Sequence, residues 1–162
     1  MSDLVLLRAD HADALLAFER ENREFFAASI PDRGDGYFTE FGTLLAERLA
    51  EQGAGVCRFH LVVDDGAVLG RFNLVDIADG EAELGYRVAR RASGRGLATR
   101  TVGELCRRAA TEYGLVRLRA RSTLGNVASR AVLTSNGFAP TDDIVLNGRP
   151  ALRYVRPLGA SS

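Results

Sequence analysis

The 162-residue sequence has no tryptophan and no lysine. Its 21 basic residues are all arginines, balanced by 21 aspartates and glutamates. Genome composition explains an all-arginine complement as well as any function does. A chain with no net charge and no aromatic-basic module lacks the footprint of a nucleic-acid binder. No apolar run approaches the ~20 residues a membrane span needs, so no membrane association is expected. The opening residues, MSDLVLLRADHAD, carry early acids and no long apolar core, which argues against a secretory leader. The two cysteines, Cys57 and Cys106, are far apart and in no metal-like spacing. Packed thiols in a reducing compartment are expected, and the cytoplasm follows as the expected location. His11 and His60 belong to no Cys/His/Asp cluster, so no metal is expected, and no Ser/His/Asp order reads as a catalytic triad.

The composition is that of an ordinary globular protein, 46% hydrophobic and 26% charged, and residues 1–162 read as one domain. Residues 4–8 are an apolar run expected to form a first strand. Asp10 looks like an N-cap, with Asp13 as a near capping box, for a helix carrying Leu15, Leu16 and Phe18 that frays near residues 22–26. Residues 27–36 contain Pro31, Gly34 and Gly36 and read as a loop. A second helix is expected over residues 39–52, stopped by Gly53. Residues 56–64 alternate, with Cys57, Phe59, Leu61 and Val63 on one face and Arg58, His60 and Asp64 on the other. Asp65-Gly66 and residues 78–80 turn the chain twice, giving three antiparallel strands in a row. A helix over residues 97–113, a strand over 116–122 and a helix over 128–135 follow. Phe138 starts another strand, Asn147-Gly148 marks a hairpin, and residues 159–162 read as a frayed tail. This order of elements is a mixed α+β layer fold.

The stretch from Glu81 to Thr101 organises the chain. A strand, EAELGYRV, runs into Arg91-Ala-Ser-Gly94-Arg-Gly96 and then into a helix. A glycine loop feeding a helix N-terminus leaves backbone N–H groups without partners and the positive end of the dipole behind them, which suits an anion. Arg87, Arg90, Arg91, Arg95 and Arg100 fall here, and no acid lies between Glu83 and Glu104. A Rossmann dinucleotide site would need a third small residue at a spacing that Gly94-Arg-Gly96-Leu-Ala-Thr-Arg does not give. The acid expected about 20 residues on is replaced by the arginine-rich strand Arg117, Arg119, Arg121.

Arg-x-x-Gly-x-Gly after Glu-Leu-Gly-Tyr-x-Val resembles the acetyl-CoA-binding motif of the GNAT acyltransferases. Asn126-Val-Ala-Ser129 and Asn136-Gly137-Phe138 resemble the second half of the ribosomal-protein N-terminal acetyltransferases of the RimJ/RimL type, although the tryptophan common in that type is missing. The resemblance spans roughly residues 4–157 and is strongest over 81–138. It implies the GNAT acyl-CoA N-acyltransferase fold, a mixed, mostly antiparallel sheet with helices on both faces, whose fourth and fifth strands splay to receive the pantetheine arm.

The resemblance also implies acetyl-CoA as co-substrate and direct transfer of acetyl to a primary amine, with a protein N-terminal α-amine as the expected acceptor. A small-molecule amine, or a non-catalytic coenzyme A sensor, are the alternatives. The pyrophosphate would rest on Arg91, Gly94, Arg95, Gly96, Leu97 and Ala98, with the Thr99 hydroxyl adding a contact. Tyr86 and Val88 would line the strand end, Val88 near a backbone donor for the thioester oxygen. Glu83 matches the family's general base, with Glu81 on the same face two residues earlier, and a solvated strand carboxylate or an arginine partner is the competing role for both. Ser129 stands where a donor to the cofactor sulfur is expected, and Asn126 would hold the pantetheine arm or cap its helix. The acceptor side would draw on the first two helices and their loop, with Phe25 and Tyr37, and on strand residues Arg58, His60, Arg71 and Asn73. A monomer or homodimer is expected.

Overall fold

Three two-residue turns set most of the strand order in the computed structural model, which describes residues 3–159. Asp65-Gly66 has φ of 51° and 79°, Asp79-Gly80 has 53° and 77°, and Asn147-Gly148 has 54° and 75°. Two successive left-handed residues match the twist of an antiparallel pair. The first turn joins β2 (Arg58–Asp64) to β3 (Ala67–Ala78), and the second joins β3 to β4 (Glu81–Val88). The third joins β6 (Ala139–Leu146) to β7 (Arg149–Pro157). With β1 (Asp3–Leu6) and β5 (Arg117–Thr123), they form a seven-stranded mixed sheet in the order β1-β2-β3-β4-β5-β7-β6. β4 and β5 are the parallel pair, and β5 runs antiparallel to β7. The tail expected over residues 159–162 lies outside the described residues from 160 on.

The chain gathers into two compact units. The first comprises the residues up to Asn73 together with Tyr86–Ser93. It contains β1 and β2, paired with Leu6 opposite His60, and helices α1 (Ala12–Glu21), α2 (Arg23–Ala27), α3 (Asp35–Thr39) and α4 (Phe41–Gly53). Its core includes Leu15, Phe18, Phe26, Phe41, Leu45, Phe59, Leu61 and Phe72, all buried. Gln52 ties α4 to the strands: its amide donates to the Leu7 carbonyl at 3.0 Å and accepts from Phe59 N–H at 2.8 Å.

Several expectations change in this unit. Asp10 is not an N-cap. It pairs with Arg8 on the surface, and a single 3-10 turn, Ala9–His11, precedes α1, with the Arg8 N–H bonded to His11 Nδ1 at 2.9 Å. The expected frayed end is helix α2, and the expected loop already contains the start of α3, which follows Gly34 at φ 88°. Gly53 is still helical; the left-handed residue that ends α4 is Gly55 at φ 82°. On β2 the alternation does not divide inside from outside, because Phe59, His60, Leu61 and Val62 are all buried. Both faces of that strand are covered, so His60 is fully enclosed, with Nδ1 3.1 Å from the Phe72 carbonyl.

The second unit comprises Leu74–Gly85 together with Gly94 onward. Helix α5 (Leu97–Thr111) buries Val102, Leu105, Cys106 and Ala109, at the spacing of one helical face. On β5, Leu118 and Ala120 are buried while Arg117 and Arg121 are exposed, as the alternation predicts. Helix α6 (Val127–Ser135) ends at Asn136, whose side chain donates to the Thr99 and Val132 carbonyls. Both cysteines are free thiols and buried.

Candidate functional site

The glycine loop leaves α5 open at its N-terminus. Gly96 is the N-cap in a left-handed conformation, φ 78°, and no side chain caps the helix. Leu97, Ala98 and Thr99 therefore present N–H groups that no carbonyl within the helix can take. The first turn holds no acid, so nothing within it competes with an incoming anion for the dipole. Arg91, Gly94, Arg95 and Gly96 are exposed, and Leu97, Ala98 and Thr99 half-buried. A Cβ on Gly96 would lie 2.9 Å from Arg100 Nη1, the guanidinium that donates to the Arg95 carbonyl. This arrangement fits a pyrophosphate.

The β4–β5 ladder is short. It registers Glu81 with Arg117, Ala82 with Leu118 and Glu83 with Arg119, whereas β5 continues along β7 as far as Thr123. Both β4 acids are held by β5 arginines. Glu81 takes Arg117 at 2.7 Å and Arg119 at 2.9 Å, and Glu83 takes Arg121 at 2.8 Å. On α6, Asn126 is a true N-cap, its Oδ1 accepting from Ser129 N–H at 3.2 Å. The Ser129 hydroxyl is half-buried and makes no hydrogen bond among the described residues. Toward the end of β4, Tyr86 stacks on Phe72 with ring centres 5.4 Å apart, and Val88 is half-buried.

The acceptor-side expectations separate. Phe25 is 38% exposed and packs on Phe26. Asn73 has a buried Oδ1 without a hydrogen-bond partner. Tyr37 and Arg71 line a cavity of about 310 Å³ with an apolar wall that includes Leu15, Phe41 and Leu45. Behind it lies a cluster that sequence reasoning missed. Glu19 is 1% exposed and holds three guanidinium groups: Arg71 at 2.6 Å, Arg33 at 3.0 Å and Arg87 at 3.0 Å. Arg71 also donates to the Tyr37 hydroxyl at 3.0 Å, Arg33 lies over the Tyr37 ring and Arg87 over Phe26. Arg87 therefore belongs to this cluster and not to the basic glycine loop that its sequence position suggests.

The electrostatics follow from one acid among three bases. Burial alone would raise the Glu19 carboxyl, but Arg71, Arg33 and Arg87 hold it below the ordinary carboxylate value. Arg87 is pushed down to about 10, by burial first and then by the like charge of Arg33, with Arg71 adding to it. Burial also works against the Arg71 cation, yet Tyr37 and Glu19 more than offset it and its pKa is raised. One signal for Glu19 was present in the sequence: it lies four residues after Leu15, on the apolar stripe of α1.

Among the described residues, no three His, Cys, Asp or Glu side chains are grouped so as to hold a metal. Residues 3–139 match the family model described as Acetyltransferase (GNAT) domain. No curated protein matches the sequence. Among solved structures, the ribosomal-protein-S5-alanine acetyltransferase of Vibrio fischeri superposes with a TM-score of 0.91 at 18% identity, over 99% of this chain and 95% of that one. Mycobacterium smegmatis RimJ in complex with CoA-disulfide gives 0.86 at 21% identity, over 96% and 81%. A chimera of the Vibrio cholerae spermidine N-acetyltransferase SpeG with hSSAT gives 0.82 at 17% identity, over 97% and 95%. At these identities the structural likenesses establish the fold.

Proposed function

The chain belongs to the GNAT acetyltransferase family and is an N-acetyltransferase, and from that premise we propose that it transfers acetyl from acetyl-CoA to the α-amine at a protein N-terminus. The observation that carries the cofactor half is the uncapped N-terminus of α5 behind Gly94 and Gly96, both with left-handed backbones. Arg91, Arg95 and the N–H groups from Gly96 to Thr99 would hold the pyrophosphate. Tyr86, Val88 and Asn126 would border the pantetheine arm. The RimJ structure in complex with CoA-disulfide supports coenzyme A as the ligand. When bound, the thioester supplies the acetyl group and a thiolate leaving group.

The chain's own residues then have two tasks. Ser129, with an uncommitted hydroxyl, donates to the departing sulfur. Glu83 takes the amine's proton through water as its ion pair with Arg121 loosens. An α-amine suits so occupied a base. With a pKa of ~7.7–8.0, roughly a tenth of it is neutral at pH 7, whereas a lysine amine at ~10.4 would need about 4 kcal/mol of help. The ribosomal-protein acetyltransferases among the structural neighbours favour the same acceptor. A polyamine is the weaker reading, although a spermidine acetyltransferase shares the fold. Arg33, Arg48 and Arg71 line the cavity against the single acid Glu40, which repels a polycation. We read residues 1–162 as one working domain located in the cytoplasm.

Thiol release from acetyl-CoA tests this, with peptides beginning in alanine or serine set against polyamines and aminoglycosides. Turnover on the peptides that disappears when their N-terminus is blocked is the expected result. Turnover on polyamines alone would overturn the acceptor, and no release with any amine despite coenzyme A binding would leave only a sensor.

A further inference from the structure

We propose that the cavity lined by Tyr37, Arg33 and Arg71 selects a carboxylate on the acceptor, with an apolar group beside it. This rests on the acetyltransferase reading and narrows its substrate class. Three guanidinium groups meet one carboxylate at Glu19, so two positive charges are left without a counter-ion. The neighbouring acids do not supply one. Asp32 and Asp35 are both taken by Arg23, at 2.8 Å each, and Glu51 pairs with Arg48 at 2.8 Å. Glu40, the one acid in the cavity wall, is exposed and makes no ion pair among the described residues.

The second observation is Arg71 itself. Its side chain is only 8% exposed, and its Nε is buried without a hydrogen-bond partner. A buried cation with an unused donor is costly unless something fills the place. Guanidinium geometry is matched best by a carboxylate, which accepts two N–H bonds at once. The rest of the wall excludes a bare inorganic anion as the fitting ligand: Leu15, Phe41 and Leu45 offer apolar surface that only a carbon-bearing group would cover. Two sources share this chemistry, a free amino acid with an apolar side chain and an acidic residue near the N-terminus of a peptide.

Acetyl transfer to matched pairs separates them: leucine against leucinamide, and C-terminally amidated Ser-Glu-Leu against Ser-Gln-Leu. The carboxylate member of one pair should have a kcat/KM at least ~10-fold higher, through KM, as expected for a charged hydrogen bond. The pair that shows the preference names the source. Arg33→Gln removes one cation at a side chain that is 28% exposed, so the fold should survive. It should erase most of the preference and leave the KM for acetyl-CoA in place. Leu44→Trp fills the cavity without changing charge and should raise the KM of the preferred member. Calorimetry with N-acetyl-leucine and N-acetyl-leucinamide reads the pocket without turnover. Binding of the acid alone, lost in Arg33→Gln, upholds the pocket even if no amine is acetylated. Equal kcat/KM within both pairs, or a preference for the neutral members, together with equal binding of acid and amide, overturns it.

Discussion

Replacing Glu19 by glutamine removes one negative charge from among three cations and leaves the side-chain volume almost unchanged. At an effective dielectric of 20, each contact attraction is worth about 4 kcal/mol. The guanidinium groups gathered on one carboxylate repel one another at roughly half again that separation, about 3 kcal/mol per pair at the same dielectric. Three attractions exceed three repulsions by about 3 kcal/mol, which must also offset desolvation. In the variant only the repulsions remain. Arg33 can swing into water, but Arg71, at 8% exposure, cannot. The expected loss is therefore about 3–5 kcal/mol, in line with breaking a buried ion pair from one side. For a chain of this length that lowers Tm by about 6–20 °C. The pH dependence identifies the cause. The folded-state pKa of Glu19 is depressed, so its contribution is present above the unfolded value of ~4.3 and fades as pH falls through the folded value. Wild type and variant should thus differ by a constant amount from pH 5 to 8 and converge in stronger acid. Adding Arg87→Met, which removes the cation already pushed down to about 10, should recover part of the loss. Urea unfolding at several pH values measures all of this. A variant that matches wild type within about 0.5 kcal/mol at pH 7 would show that the three arginines do not depend on Glu19.

Two further outcomes test the cofactor side. Gly96→Val forces a branched side chain into a left-handed N-cap and toward Arg100, so coenzyme A affinity by calorimetry should fall at least ~10-fold, with unchanged affinity counting against the α5 site. Ser129→Ala leaves the backbone N–H bonded to Asn126, so stability should hold while kcat drops by ~100-fold with little change in the KM for acetyl-CoA. An unchanged kcat removes the serine from the chemistry.

Much of the fold was legible because the signals are local. Asp65-Gly66 and Asn147-Gly148 each fix a turn from two residues, and β4 has the boundaries its sequence suggests. The alternation of β5 survives because one of its faces stays open. That of β2 fails because both faces are covered, a fact of tertiary packing that no period within the strand records. The carboxylates of β4 were legible as candidates but their partners were not. Pairing Glu83 with Arg121 requires the parallel register of two strands some 38 residues apart. The Glu19 cluster is the extreme case, since its arginines come from positions 14, 52 and 68 residues downstream. Within its own helix, Glu19 stands in the charged run Glu19-Arg20-Glu21 and looks like solvated surface.

The spacing along α1 and α2 nevertheless marks the cluster. Leu15, Phe18, Glu19, Asn22 and Phe26 recur at helical intervals, and all five are buried. Two of the five are polar, in places where leucine would fill the stripe. Each carries out a task that leucine cannot. Asn22 accepts from the Arg90 N–H at 2.9 Å and donates to the Phe18 carbonyl at 2.9 Å, so it pins the residue that leads into the glycine loop. Glu19 draws in Arg71 and Arg87, from β3 and β4, and Arg33. A polar residue on a buried stripe conflicts with the local rule for a helix, and such conflicts mark functional or strained places. One side chain steadies the backbone that leads into the glycine loop and the other sets the charge behind the cavity, so leucine at either position would forfeit a polar contact that the buried stripe provides.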